Sequence, residues 1–335
     1  MKLDIFNHIF PKIYYDKMMA VNPNLADIGK RVREVPVLVD LDARFRMMDE
    51  FEDYAQVICL TAPPFDLLAG PDVTPELARV ANDGMAEYVA KYPDRFPAFI
   101  ASLPLDNPDA AVQEIDRAVK DLKAVGVQVF TCVQDKPLDL PEFKPLFAKM
   151  AEHDLPIWVH PTRTAKFPDY LTEKKSKYEI WWTLGWPYDT SVMMARLVFA
   201  GYFDEFPNLK IITHHMGGMI PYFEGRVGPG WNQMGARTSD EDLSLVLKKL
   251  KRPHLDYFKM FYADTALFGS LSGTKCGLDF FGVDQVLFAS DSPFDPEKGP
   301  KYIRDTIRII EELPISEKER NKIFEGNARR ILKLS

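Results

Sequence analysis

Cysteine is scarce in this chain: Cys59, Cys132 and Cys276 are the only three in 335 residues, and they lie far apart. An odd number at wide spacing gives neither a disulfide framework nor a paired-cysteine metal site, so each reads as a small core residue. Basic blocks are missing as well. The longest is KKLKR, Lys248 to Arg252, and the net charge of -7 with a pI near 5.5 argues against a nucleic-acid or anionic-membrane partner. No apolar run approaches bilayer length, and no basic segment followed by an apolar one opens the sequence. The expectation is a cytoplasmic protein that neither crosses a membrane nor is secreted. Histidine is rare too, with six in the chain, which makes their positions informative.

What is present is a globular composition, 46% hydrophobic and 27% charged, arranged in a regular alternation. Eight short apolar, β-branched runs occur near residues 3–9, 55–61, 96–104, 126–132, 155–160, 209–215, 258–264 and 285–291. Between them lie segments with apolar residues at three- and four-residue spacing, several opened by Asp or Pro as a helix start should be. Eight βα units at this length predict an α/β fold of the (β/α)8 TIM-barrel type, one domain over residues 1–335. An open doubly wound sheet would want a Gly-rich first turn, and NHIFPKIYY is not one. Residues 161–189, long and aromatic, interrupt the rhythm after the fifth run and predict a lid or a subunit contact.

Active sites of such barrels sit at strand C-termini. His8 ends the first run, His160 the fifth, His214 and His215 the sixth and Asp291 the eighth, so four of the six histidines fall at these places. A single histidine at a strand end is more often structural. Imidazoles and a carboxylate converging from several strands are what a divalent transition metal needs. The other two, His153 and His254, read as surface or cap residues. If the first run is a strand, Asp4, Phe6 and His8 share one face. Of the adjacent His214 and His215, only one can face the barrel interior. Trp181, Trp182, Trp186 and Tyr188 can line an aromatic pocket beside Phe6, suited to a planar conjugated substrate.

These stretches together resemble the amidohydrolase superfamily, in its branch typified by aminocarboxymuconate semialdehyde decarboxylase and γ-resorcylate decarboxylase. The resemblance rests on DIFNHI at the start, IWVHP around His160, ITHHMGGMIPYFEGR from residue 211, FASDSPF around Asp291 and the closing GNARRILKL. It implies His8, His160 and Asp291 as ligands of one divalent metal, with zinc in first place and manganese or iron as alternatives. It also implies His215, in the HMGG context, as a catalytic residue beside Asp291. The family's first strand carries His-x-His or Glu-x-His, and here Phe6 stands where the first ligand belongs. His214 can replace that ligand if the strand kinks there. Arg226, eleven residues after His215, matches an arginine that in the semialdehyde decarboxylase reaches a substrate carboxylate across a dimer interface, and Arg44 matches a second.

The reading that follows is a metal-dependent, non-oxidative decarboxylase of an aromatic or conjugated carboxylic acid, working as a homodimer or higher homo-oligomer on a small carboxylate. Arg44, Arg226, Phe6 and Trp186 are its expected substrate-binding residues. A hydrolase or hydratase of the same superfamily would share every ligand. A non-catalytic partner subunit is the third reading, for which Phe6 speaks and the retained polar groups speak against.

Overall fold

The computed structural model describes residues 1–25 and 28–334. All eight apolar runs become strands: β1 (Lys2–His8), β2 (Tyr54–Cys59), β3 (Ala98–Phe99 and Ala101–Ser102, interrupted at Ile100), β4 (Val127–Phe130), β5 (Ile157–His160), β6 (Ile211–Thr213), β7 (Tyr262–Asp264) and β8 (Val286–Leu287). Each pairs in parallel with the next. The ring closes between β8 and β1 through the Ile5 N–H to the Phe288 carbonyl (3.0 Å), the Asp291 N–H to the Phe6 carbonyl (2.9 Å) and a parallel bridge between Asn7 and Ser292. The fold is a closed (β/α)8 barrel.

Alternation along the strands divides the core in two. Val57, Cys59, Trp158, Ile212 and Leu287 point inward and pack with Leu3, Ile5 and Phe6 in the barrel lumen. Ile58, Phe99, Val127, Val129, Ile157, Val159 and Ile211 point outward and meet the helices. The helices start where side chains satisfy their free N–H groups. Asp40 accepts from Asp42 and Ala43 ahead of Leu41–Met48, Asn107 from Ala110 ahead of Pro108–Lys120, and Ser316 forms a reciprocal capping box with Glu319. No helix among the described residues is long and apolar enough to cross a membrane.

The first strand departs from strict alternation. Its register against β2 shifts between Asp4 and Asn7, a bulge that lets Ile5 and Phe6 both join the lumen cluster. Phe6 and His8 do share a face, with ring centroids 4.5 Å apart. Asp4 does not join them. Its carboxylate accepts from the Tyr54 hydroxyl (2.6 Å), the Ser290 hydroxyl (2.5 Å) and the Phe6 N–H (3.1 Å), tying β1 to β2 and to the end of β8.

Candidate active site

At the C-terminal mouth of the barrel lies a cavity of about 690 Å³. His8, His160 and Asp291 stand at its base, Trp181, Trp182, Trp186, Phe268, Phe294 and Tyr302 form its walls, and Lys30, Arg31, Lys175 and Lys177 add positive charge. Residues from the 161–189 segment therefore line this cavity. Asp169 accepts from the Ser176 hydroxyl and the Lys177 N–H (both 2.8 Å), and Trp186 Nε1 donates to the Arg163 carbonyl (2.9 Å), which orders that segment over the site. Arg31 donates to the Phe294 and Asp295 carbonyls (both 2.8 Å) and so joins the loop after β1 to the loop after β8.

Each buried imidazole is held through one nitrogen. His8 Nδ1 meets the Leu60 carbonyl at 3.0 Å, His160 Nδ1 the Pro161 carbonyl at 2.5 Å, and His214 Nδ1 the Asp264 carboxylate at 2.7 Å. That leaves the Nε2 atoms of His160 and His214 as the free ends, the arrangement by which proteins present histidine to a metal. His8 Nε2 lies 3.0 Å from Asp291 Oδ1, while His214 Nε2 is buried with no hydrogen-bond partner among the described residues. The imidazoles gather round Phe6, whose ring centroid is 3.5 Å from His214, 4.5 Å from His8 and 5.9 Å from His160; His160 and His214 are 5.1 Å apart. Burial would raise the Asp291 carboxyl, yet the hydrogen bond and charge of His8, with His215 and His214, outweigh it and hold the group below its ordinary value. Asp291 is thus a carboxylate at neutral pH.

The amidohydrolase family model matches residues 38–334 of this sequence. The chain belongs to the amidohydrolase family. It is 33% identical over 314 residues to the γ-resorcylate decarboxylase of Rhizobium sp. (strain MTP-10005), with 89% of this chain and 88% of that one covered. The 2-amino-3-carboxymuconate-6-semialdehyde decarboxylase of Dictyostelium discoideum is 26% identical, over 100% of this chain and 92% of its own. Among solved structures, a dihydroxybenzoic acid decarboxylase from Polaromonas sp. JS666, with bound manganese and the inhibitor 2-nitroresorcinol, superposes with a TM-score of 0.80 at 30% identity, covering 99% and 97% of the two chains. The matched stretch of this amidohydrolase begins after β1, beyond Phe6 and His8.

The structure brings His8, His160, Asp291 and Trp186 to one cavity and does not place Phe6, Arg44, Arg226 or His215 among its lining residues. Phe6 is fully buried and does not line the cavity, because it lies two residues before His8 on the same face of β1 and so sits deeper in the lumen. Arg44 is also fully buried and cannot reach a substrate there: its guanidinium is spent on Gln56 Oε1, the His8 carbonyl and Asn7 Oδ1. Arg226 is exposed and lines a separate groove with Tyr188, Val192, Phe223 and Trp231. His254, read as a surface or cap residue, is buried at the start of the helix His254–Phe258 and holds the Val227 and Gly228 carbonyls. Cys59 is a core thiol raised by burial, donating to the Asn7 carbonyl.

Of the paired histidines, His214 is the one that faces inward. Ile212 is a lumen residue, so His214 continues the inner face, and it is 1% exposed. His215 follows in a left-handed conformation (φ 50°), its N–H donating to Asp264 and its Nδ1 meeting the Ala266 carbonyl at 2.7 Å, with its ring 5.3 Å from that of Phe268. Gly217 and Gly218 complete the turn at φ 74° and 63°, and a Cβ on Gly218 would stand 2.4 Å from the Pro187 carbonyl. Lys30 and Arg31 carried no periodic signal beyond the short basic run GKRVRE, and Phe268 and Tyr302 none at all.

Burial, with the charge of His214 and His8, holds His160 well below the ordinary histidine value, and burial with His215 does the same to His214. In the unfolded chain both protonate near the ordinary value, so their contribution to stability is complete above about pH 6.5 and is lost as pH falls towards the folded-state values. Denaturant titration of metal-free protein is expected to show His214→Gln losing less stability than the parent between pH 7 and 5.5, by about 1 kcal/mol. Asp4, raised to about 6 by burial, opposes the trend equally in both proteins, while Asp264, raised likewise, bonds His214 Nδ1, so the difference reports the His214–Asp264 pair together. Parallel curves would show that His214 is protonated in the folded state.

Proposed function

We propose that this amidohydrolase is a metal-dependent, non-oxidative decarboxylase of an aromatic or conjugated carboxylic acid. The observation that carries the reading is the single cavity in which aromatic walls and cationic residues stand above His8, His160 and Asp291. The walls suit a planar substrate, and Lys30, Arg31, Lys175 and Lys177 suit its negative charge. The activities of the γ-resorcylate and dihydroxybenzoate relatives support it.

The residues fit a divalent ion in donor chemistry: Nε2 of His8 and of His160 and the Asp291 carboxylate, with both Nδ1 atoms anchored on carbonyls. The nitrogen-rich set suits zinc, and the manganese of the Polaromonas enzyme sets manganese beside it, with iron a further candidate. When bound, the ion supplies a Lewis acid for the substrate carboxylate and a neighbouring hydroxyl or keto oxygen. Asp291, ionised in the resting site, takes the proton of the substrate's neighbouring hydroxyl and passes it to the carbon bearing the carboxylate, which becomes tetrahedral. The bond to the carboxylate carbon then breaks, its electron pair returns to the π-system, and CO2 leaves. The 161–189 segment excludes water from the base of the cavity.

Arg226, outside its own cavity, acts in this reading across a contact between two copies, with the groove beside it as the contact face. Free cysteines support a cytoplasmic setting. Incubating metal-loaded protein with ortho-hydroxylated aromatic carboxylates in D2O is expected to release CO2 and leave one deuterium at the carbon that carried the carboxylate. A product that has gained water with its carboxylate intact would replace decarboxylation with hydration, the activity named for a Sphingobium relative. No turnover of any such acid, with metal shown to be bound, would end the decarboxylase reading.

A further inference from the structure

We infer that His214 is itself a metal ligand, its Nε2 filling the coordination position that Phe6 has vacated. The inference rests on the metal site proposed above and concerns which residues complete it. Three features of the structure carry it. His214 Nε2 is a buried polar atom without a hydrogen-bond partner among the described residues, in a side chain only 1% exposed. Buried polar groups are ordinarily satisfied, so an unpaired ring nitrogen in a cluster of imidazoles asks for a bonding partner. The ring is then fixed in the manner of a ligand: Asp264 holds Nδ1 at 2.7 Å, as the Leu60 carbonyl holds His8 and the Pro161 carbonyl holds His160. Finally, the His214 ring packs directly on Phe6, at 3.5 Å between centroids, and lies 5.1 Å from His160. A side chain lost from β1 is thereby answered by one gained at the end of β6.

A rival grouping uses His214, His215 and Asp264, whose donor atoms lie within 4.8 Å of one another. Asp264 is already committed there. Its Oδ1 accepts from the His215 and Ala266 N–H groups and its Oδ2 from His214 Nδ1, while His215 Nδ1 meets the Ala266 carbonyl. An ion at that place would have to displace these bonds, so Asp264 orients His214 and does not coordinate. Asp264 is a positioning residue, and it leaves Nε2 free on a ring that lies 5.1 Å from that of His160.

The test counts nitrogens and measures affinity, neither of which depends on turnover. Pulsed electron paramagnetic resonance of the Mn(II)- or Cu(II)-loaded wild-type protein is expected to show three imidazoles on the ion, and His214→Gln two. Competition against a chromophoric chelator is expected to show a 10- to 100-fold weaker site in His214→Gln. Phe6→Glu in the His214→Gln background, which returns a carboxylate to β1, is expected to recover affinity without recovering the third imidazole. The wild-type nitrogen count keeps the test decisive even if a variant folds poorly. Two imidazoles in the wild type, with His214→Gln affinity within threefold, would overturn the inference and reduce His214 to a packing partner of Phe6, while metal-dependent CO2 release would leave the proposed function standing. A wild-type protein that takes up no ion from excess metal would overturn both the inference and the metal-dependent mechanism.

Discussion

Asp291→Asn is expected to lower kcat/KM for CO2 release by about a thousandfold, within the range that general acid–base groups contribute. Three properties of the residue make the prediction sharp. Asp291 stands at the cavity base, 7% exposed, and its carboxylate meets His8 Nε2 at 3.0 Å. It is held ionised at neutral pH chiefly by His8, so it is available both as an anionic ligand and as a group that can pick up and pass on a proton. It also sits in the left-handed region at φ 62°, which asparagine tolerates as well as aspartate does, so the substitution removes charge without straining the backbone. The thermal midpoint should therefore stay within a few degrees while activity collapses. A variant that keeps more than a tenth of the parent rate would clear Asp291 of proton transfer, and His215→Asn would then be expected to carry the loss.

His8, His160 and Asp291 were legible in the sequence because a strand ends abruptly and a barrel puts its chemistry at that end; neither fact depends on neighbours in space. The sixth strand shows where such reading stops. Whether His214 or His215 faces inward follows from parity counted from Ile212, and which residues are lumen residues is set by packing against other strands. The left-handed turn at His215 and Met216 then removes the second histidine from the strand altogether. Bulges defeat parity in the same way: one extra residue between Asp4 and Asn7 turns Asp4 away from Phe6 and His8. The cationic part of the cavity was out of reach for a different reason. Lys30, Lys175 and Lys177 come from two stretches far apart in sequence, and only the closed barrel brings them to one mouth. Arg44 matched a family position, but its length let it run under the barrel wall, where β1 offered the His8 carbonyl and the Asn7 side-chain oxygen as acceptors.

That burial sets the second large effect. Arg44→Met is expected to destabilise the protein by about 3–5 kcal/mol, the usual cost of removing one partner from a buried polar assembly. The side chain is 0% exposed, and burial lowers its pKa to about 10, so it remains charged at neutral pH. It donates from Nε to Gln56 Oε1 (2.9 Å), from Nη1 to the His8 carbonyl (2.6 Å) and from Nη2 to Asn7 Oδ1 (2.6 Å). Methionine fills much of the volume and leaves all three acceptors unsatisfied. Gln56 passes the network on to the Tyr54 hydroxyl (2.8 Å) and so to Asp4, whose carboxylate grips Ser290 across the β8–β1 seam. The same residue therefore steadies the end of β1 that carries His8 and the closure of the barrel. Lysine would not replace it, since a single ammonium cannot meet three acceptors held in a fixed plane. Well below its lowered melting temperature, Arg44→Met is expected to keep the parent KM for its carboxylate substrate within about threefold, because the guanidinium never enters the cavity. An unchanged melting temperature with a KM raised more than tenfold would reverse this assignment and return Arg44 to the substrate.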